Sequence, residues 1–253
     1  MTAFTKLAMA AAAVAAVALI AIIAMPRGSG GIGGPTPSPL LTPSPSPAPT
    51  ASPSTPGIAL LDGKAGTHVG QVDGVQATLT FPGGWVTGIA GRDGGYVIDK
   101  AVSTGEASIF LWNPDNVYAD PCARTKMSPP VGRSAADFAT AATKISGIRV
   151  VAAPSDVTVG GRPGKLVAIA VPEKAACQAG QSGFHLWYNQ DSGDDCSGDV
   201  ECGRFATALG DTIRVWTVDV DADRVIFEAE TPKGSSPDLD AEIQRIVDSI
   251  TFE

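Results

Sequence analysis

Ten of the twenty prolines of this 253-residue chain fall between Pro26 and Gly57, among Ser, Thr and Gly, in repeats such as Pro43-Ser44-Pro45-Ser46-Pro47-Ala48-Pro49. Each proline fixes its own φ, removes an amide donor and pushes the residue before it toward extended geometry, so this stretch builds neither helix nor sheet. Residues 26–57 read as a disordered Pro/Ser/Thr/Gly-rich linker. From Pro35 to Pro56, at ~3.1 Å per residue in polyproline geometry, it spans up to roughly 70 Å, a semi-rigid spacer. Any core must therefore come from residues 58–253, enough for one sizeable domain.

Ahead of the linker, Leu7 to Met25 is a run of 19 residues without a polar side chain. About 20 such residues cross a hydrocarbon core of ~30 Å as a helix. The expectation is a transmembrane anchor over 7–25, with residues 1–6 and Lys6 on the cytoplasmic side and residues 58–253 outside the cell. A cleaved signal peptide is the competing reading; its apolar region is usually shorter, and the run leads into Met25-Pro26-Arg27 without a clear Ala-x-Ala cleavage site. The expected location is the plasma membrane, single-pass, with a secreted form if the segment is cut.

From Ile58 onward, short apolar runs alternate with turn signals. Asp73-Gly74 between His68–Val72 and Val75–Phe81 suits a tight hairpin, and Pro82-Gly83-Gly84 ends it. Tyr96–Asp99 and Ala107–Trp112 read as further strands. Gly160-Gly161-Arg162-Pro163 and Asp221-Ala222-Asp223-Arg224 predict two more hairpins, the second flanked by Ile213–Val220 and Val225–Glu230. Two segments switch to helical spacing. After Ser134, Phe138, Ala141, Ala142 and Ile145 share a face; after Ser236 and Pro237, Leu239, Ile243, Ile246, Val247 and Ile250 form a stripe. The predicted fold is α+β, a mostly antiparallel sheet with two packed helices at about 134–146 and 237–250.

Lys6 and Arg27 are the only charged side chains before Asp62, so the folded part holds 16 of the 18 basic groups and all 26 acidic ones. Such a surface disfavours nucleic acid, whose phosphates need clustered cations. It also favours a neutral or cationic partner over an anionic polymer. Cys122, Cys177, Cys196 and Cys202 all follow the apolar run, and an even number beyond the membrane suggests two disulfides. Three pairings are possible; the favoured one joins Cys196 to Cys202 around a short loop and Cys122 to Cys177 across the fold.

Chemistry-bearing patterns are few. Two histidines, His68 and His185, build no three-His metal site, and there is no Cys-x-x-Cys or Gly-x-Ser-x-Gly. Asp219, Asp221, Asp223 and Glu230 imitate a calcium loop, but its sixth position is Arg224 instead of glycine, so the segment reads as a solvated hairpin tip. Asp191, Asp194, Asp195, Asp199 and Glu201, around the Cys196–Cys202 loop, are a weak calcium candidate. On the Phe184–Tyr188 strand, His185 and Trp187 share the face opposite Phe184, Leu186 and Tyr188, and are the candidate ligand-facing pair. No catalytic residue and no cofactor is assigned.

The strings Tyr118-Ala119-Asp120-Pro121-Cys122-Ala123, Pro129-Pro130-Val131-Gly132-Arg133-Ser134-Ala135-Ala136-Asp137, Ser155-Asp156-Val157-Thr158-Val159-Gly160-Gly161-Arg162-Pro163 and Asp211-Thr212-Ile213-Arg214-Val215-Trp216, with the closing Asp248-Ser249-Ile250-Thr251-Phe252, resemble an uncharacterised family of exported bacterial domains from high-GC lineages. The resemblance covers roughly residues 67–253. The layout, including Phe81-Pro82-Gly83-Gly84-Trp85, also looks like the broader PsbP/Mog1/LpqN-type α/β sandwich. That resemblance implies a binding or assembly module, by analogy of fold. It transfers no catalytic residue, and the Cys196 and Cys202 insertion departs from the family pattern.

The expected function is a membrane-anchored, extracytoplasmic binding, sensing or assembly domain, non-catalytic, with an envelope protein or small ligand as partner. The alternatives are an envelope-polymer hydrolase using paired carboxylates and a structural surface protein.

Overall fold

A computed structural model describes residues 61–72, 74–87, 96–179, 183–189 and 203–253, all within one compact unit, Pro53–Glu253. The apolar run 7–25, the linker, Cys196, Cys202 and the acidic cluster from Asp191 to Glu201 lie outside the described residues. Among the described residues, no helix is long and apolar enough to cross a membrane.

The elements in chain order are β1 (Gly66–Val72), β2 (Val75–Phe81), β3 (Val86–Thr87), β4 (Tyr96–Val102), β5 (Gly105–Trp112), β6 (Asn116–Asp120), β7 (Thr125–Lys126), α1 (Ala135–Ala142), β8 (Arg149–Val159), β9 (Arg162–Ala170), β10 (His185–Tyr188), β11 (Arg204–Phe205), β12 (Thr212–Val220), β13 (Asp223–Thr231), α2 (Pro237–Asp248) and β14 (Thr251–Phe252). Seven strands form the central sheet in the order β3-β4-β5-β13-β12-β9-β8. Every pairing in it is antiparallel. Two smaller sheets, β1-β2-β14 and β11-β10-β6-β7, complete the framework. The fold is α+β, as the residue pattern predicts.

Strand alternation sends side chains to both faces of the central sheet, and each face has its own core. Val225, Phe227 and Ala229 of β13 pack with Leu79 and Phe81 of β2 and with Leu239, Ile243, Ile246 and Val247 of α2. Ile226 of β13 points the other way, with Phe110, Val167, Ile169, Ile213 and Val215, against Phe138 of α1 and Leu186 and Trp187 of β10. The molecule therefore has three layers, with the large sheet in the middle.

Local chemistry explains most boundaries. Ser134 caps α1 through a reciprocal capping box: its Oγ accepts the Asp137 amide at 3.1 Å, and Asp137 Oδ2 accepts the Ser134 amide at 3.4 Å. The helix stops earlier than the predicted 146, because Thr143 caps it and Gly147, at φ 82, turns the chain. Ser236 accepts the Leu239 amide at 3.3 Å, and Pro237 opens α2. The predicted four-residue turns are tighter than expected. β8 and β9 meet at Gly160 and Gly161, φ 56 and 75, and β12 and β13 at Asp221 and Ala222, with Asp221 at φ 55. Positive φ at both central positions matches the twist of a two-residue hairpin and favours glycine in the first of these turns.

Cys122 and Cys177 form a disulfide, Cα–Cα 5.3 Å, joining the end of β6 to the segment after β9 across 55 residues. This is one bridge of the favoured pairing.

Candidate functional site

A groove opens on the second core layer, between α1 and the segment joining β7 to it. Ala119 of β6, Met127 to Gly132, and Asp137, Thr140 and Ala141 of α1 line it, with Lys144 just beyond the helix. Its volume is about 480 Å³, within the roughly 300–1,000 Å³ of small-ligand sites.

Each wall has a visible support. Asn116, 7% exposed, donates Nδ2 to the Met127 carbonyl at 3.1 Å, and its Oδ1 accepts the Val117 and Val131 amides at 2.9 and 3.4 Å. One side chain thereby fixes both ends of the Met127–Val131 segment. Asp219 of β12 accepts the Ala135 amide at 2.7 Å, placing a carboxylate at the positive end of α1. A Cβ at Gly132 would fall 2.3 Å from Asp137 Oδ2, so the close approach that lets Asp137 cap the helix requires glycine there.

Arg224 is the residue that sequence reasoning misplaced. Expected at a solvated tip, it is 6% exposed and lies over the Phe138 ring, 4.8 Å from its centroid. Its Nη1 donates to the Gly132 carbonyl at 2.8 Å and its Nη2 to the Pro114 carbonyl. Burial pushes its pKa down to about 10, against the pull of Asp115, Asp219 and Asp137, so it stays charged at neutral pH. The signal that could have found it was its place among strand residues opposite Asp219, a register pair formed by the tight turn.

The groove is lined mainly by apolar groups, with hydroxyls from Ser128 and Thr140. Its ionisable lining residues are Asp137 and Lys144. Asp137 is committed to Ser134, whose Oγ donates to Oδ2 at 2.7 Å. The arrangement suits holding an apolar body with a few polar groups, and its lining residues include no nucleophile paired with a base.

A second polar constellation lies beneath β10 and β11, on the same face of the central sheet. Glu228 and Glu230 of β13 are 0% and 1% exposed, and Arg204 of β11 is 3% exposed. Arg204 Nε lies 3.0 Å from Glu228 Oε1, and Nη2 pairs with Glu230. Its guanidinium covers the Phe110 ring, 3.8 Å from the centroid. Trp187 Nε1 donates to Glu228 Oε2 at 2.5 Å, and Thr207 donates its amide and hydroxyl to Glu230 at 2.8 and 2.6 Å. Burial pushes Glu228 up from the ordinary glutamate range, with Arg204 pulling the other way. Asp211, 3% exposed, is pushed up to about 7 by burial and by the Glu230 carboxylate beside it. Asp99, next along the sheet, is also raised by burial. Glu228, Glu230 and Asp211 are enclosed, and Asp99 is half-buried.

The structure places the sequence candidates as follows. His185 and Trp187 are each 1% exposed; His185 packs edge-on against Tyr118, and the Trp187 indole is bonded to Glu228. Trp85, Trp112 and Trp216 are buried too, and Trp85 Nε1 donates to Glu242 at 2.7 Å. Among the described residues, no group of three His, Cys, Asp or Glu side chains is placed to hold a metal.

No family model and no curated protein matches this chain. Among solved structures it is similar to a chain in a 1.50 Å crystal structure from Bacteroides thetaiotaomicron VPI-5482, at 12% identity and a TM-score of 0.34. The match covers 70% of this chain and 45% of that one, so this chain spans less than half the length of that relative. A likeness at that level carries no argument about activity.

Proposed function

We propose that the chain is a non-catalytic binding module of the cell envelope, tethered by residues 7–25 and spaced from the bilayer by the linker, and that its ligand or partner takes the groove beside α1. The observation that carries this reading is the groove's construction. Asn116, Asp219 and Arg224 each contribute a buried or half-buried bond to its walls, so its shape is set before a ligand arrives. The Cys122–Cys177 bridge supports an oxidising location, where such bonds persist. A mostly apolar lining with few polar groups supports holding a ligand over transforming one.

The test uses the full-length protein in its own membrane, carrying a photo-crosslinking residue at Thr140 on the groove or at Lys64, which lies on another surface. A discrete product from position 140 and none from position 64 is expected. The same products from both positions, or none from either, would reject the groove as the binding site. Location is tested separately with a C-terminal alkaline phosphatase fusion, expected to be active; an inactive fusion that is stably made would place the domain inside.

A further inference from the structure

The folded part of the chain is acidic, with 16 basic against 26 acidic side chains, yet its charge is unevenly spread. From Cys122 through Pro154 the sequence carries Arg124, Lys126, Arg133, Lys144 and Arg149 against one carboxylate, Asp137. All five cations are exposed. Among the described residues none of the five is in an ion pair with a carboxylate, while seven cations elsewhere are.

The fold wraps this segment around the groove. Lys144 is a lining residue, and Lys126 and Arg133 flank the lining stretch from Met127 to Gly132 at its two ends. Ser146 donates its amide to the Ala119 carbonyl at 2.9 Å, which brings the turn after α1 against the end of β6, and Arg124 stands in the β6–β7 turn at that same end. Asp120 there is turned to its own loop, its Oδ1 accepting the Cys122 and Ala123 amides at 3.0 and 2.9 Å. Lys126 Nζ lies over the Tyr188 ring, 3.7 Å from its centroid, a contact that leaves its charge in place. The groove therefore has two unlike ends. Asp137, already bonded to Ser134, stands near the start of α1. Lys144 stands past the other end, and Thr140, four residues earlier, shares its side of the helix. Between them Met127 and Val131 are half-buried and Pro129 and Pro130 exposed, an apolar wall open to solvent.

We infer that the groove takes a single-chain anionic amphiphile, its apolar chain along Met127–Val131 and its anionic headgroup at Lys144 and Thr140. This ligand class presupposes that the groove is the binding site. Net charge alone points to a neutral or cationic partner, and the segregation of charge reverses that at this one place. Covering the apolar wall removes it from water. The headgroup meets an ammonium that has no ion pair to give up, and the four other cations raise the potential that draws an anion in and turns a cationic chain away.

The test is a titration of the full-length protein in phosphatidylcholine nanodiscs with methyl-labelled methionine, followed by NMR at Met127, the only methionine after Met25. Decanoate, decyltrimethylammonium and acetate are compared at equal free concentration. Decanoate is expected to shift the Met127 methyl saturably, the cationic chain of the same length to bind about tenfold more weakly, and acetate to leave the resonance in place. Lys144→Gln should weaken decanoate binding about fivefold, with Lys144→Arg restoring most of it and Lys64→Gln, on another surface, changing nothing. Equal affinity for the two chains, or undiminished decanoate binding in Lys144→Gln, would overturn the anionic headgroup. A response to acetate equal to that of decanoate would mark a plain anion site and overturn the amphiphile. A Met127 methyl that ignores decanoate would overturn the inference as a whole. In that event a discrete crosslink from position 140 keeps the groove as a site for another ligand class, and the lack of one removes both.

Discussion

Arg224 reaches the carbonyls of Gly132 and Pro114, 92 and 110 residues earlier in the chain. Truncating it leaves the buried Pro114 carbonyl short of a donor and removes the bond to the exposed Gly132 carbonyl, a loss of about 2–4 kcal/mol with the missing charge–dipole bonds included. Arg224→Ala should lower the urea midpoint accordingly, and Arg224→Lys should recover only part of it, because a single ammonium does not span two carbonyls set for a guanidinium fork. At Asp211 the prediction concerns pH. Its carboxyl is raised from 3.8 to about 7 in the folded protein, so between those values the native state holds a proton that the unfolded state has lost. The contribution to stability is thus complete below the unfolded pKa, declines as pH rises, and is gone above the folded pKa. Glu242 and Glu173 work in the opposite sense. Burial would raise Glu242, but hydrogen bonds from Lys100 and Trp85 outweigh it, and Lys233 lowers Glu173, so both favour the fold above the ordinary glutamate pKa and lose that effect in acid. Urea midpoints of the natural chain and Asp211→Asn should therefore diverge as pH rises from 4 toward 7 and run parallel beyond it; curves parallel throughout would contradict the assignment.

At the level of elements, β8 stands out. It is an 11-residue edge strand of the central sheet, paired only to β9, with Val150 and Val151 41% and 46% exposed. Such an edge invites pairing with another chain. Two interruptions of its register, between Val150 and Ala152 and between Ala152 and Ser155, bend it, and Pro154 within the second removes a donor. Pro154→Thr should raise self-association, seen by light scattering at high concentration; a chain that stays monomeric would show that the register breaks alone suffice. The sequence pattern located only Val157–Val159 of this strand. Its remaining residues are broken by the two register shifts, which erase the period-2 signal. The helices were legible because their caps are local: Ser236→Ala should cost about 1 kcal/mol through the lost Leu239 bond.

For the whole molecule, the Cys122–Cys177 bridge closes a loop of 55 residues, and the chain-entropy relation assigns such a closure about 4 kcal/mol. The double variant Cys122→Ser/Cys177→Ser should melt roughly 8–16 °C lower, at about 2–4 °C per kcal/mol for a domain of this size. The bridge also joins the β6 end, next to the groove, to the segment after β9, so groove-dependent crosslinking should weaken with it. An unchanged melting temperature under reducing conditions would show that the packed layers hold this connection without the bond.

Turn torsions, helix caps and apolar periodicity are properties of a few neighbouring residues, and they were enough for the α+β class, the three hairpins and both helices. Burial of the polar faces was another matter. Asp219, Arg224, Glu228 and Glu230 alternate with apolar residues along one hairpin, which says that they share a face and says nothing about what covers it. Only the third layer, made by α1, β10 and β11, turns that face into an interior, forces its charges to pair, and leaves the groove at its margin. That layer is assembled from segments far apart in the chain, so no local pattern carries it.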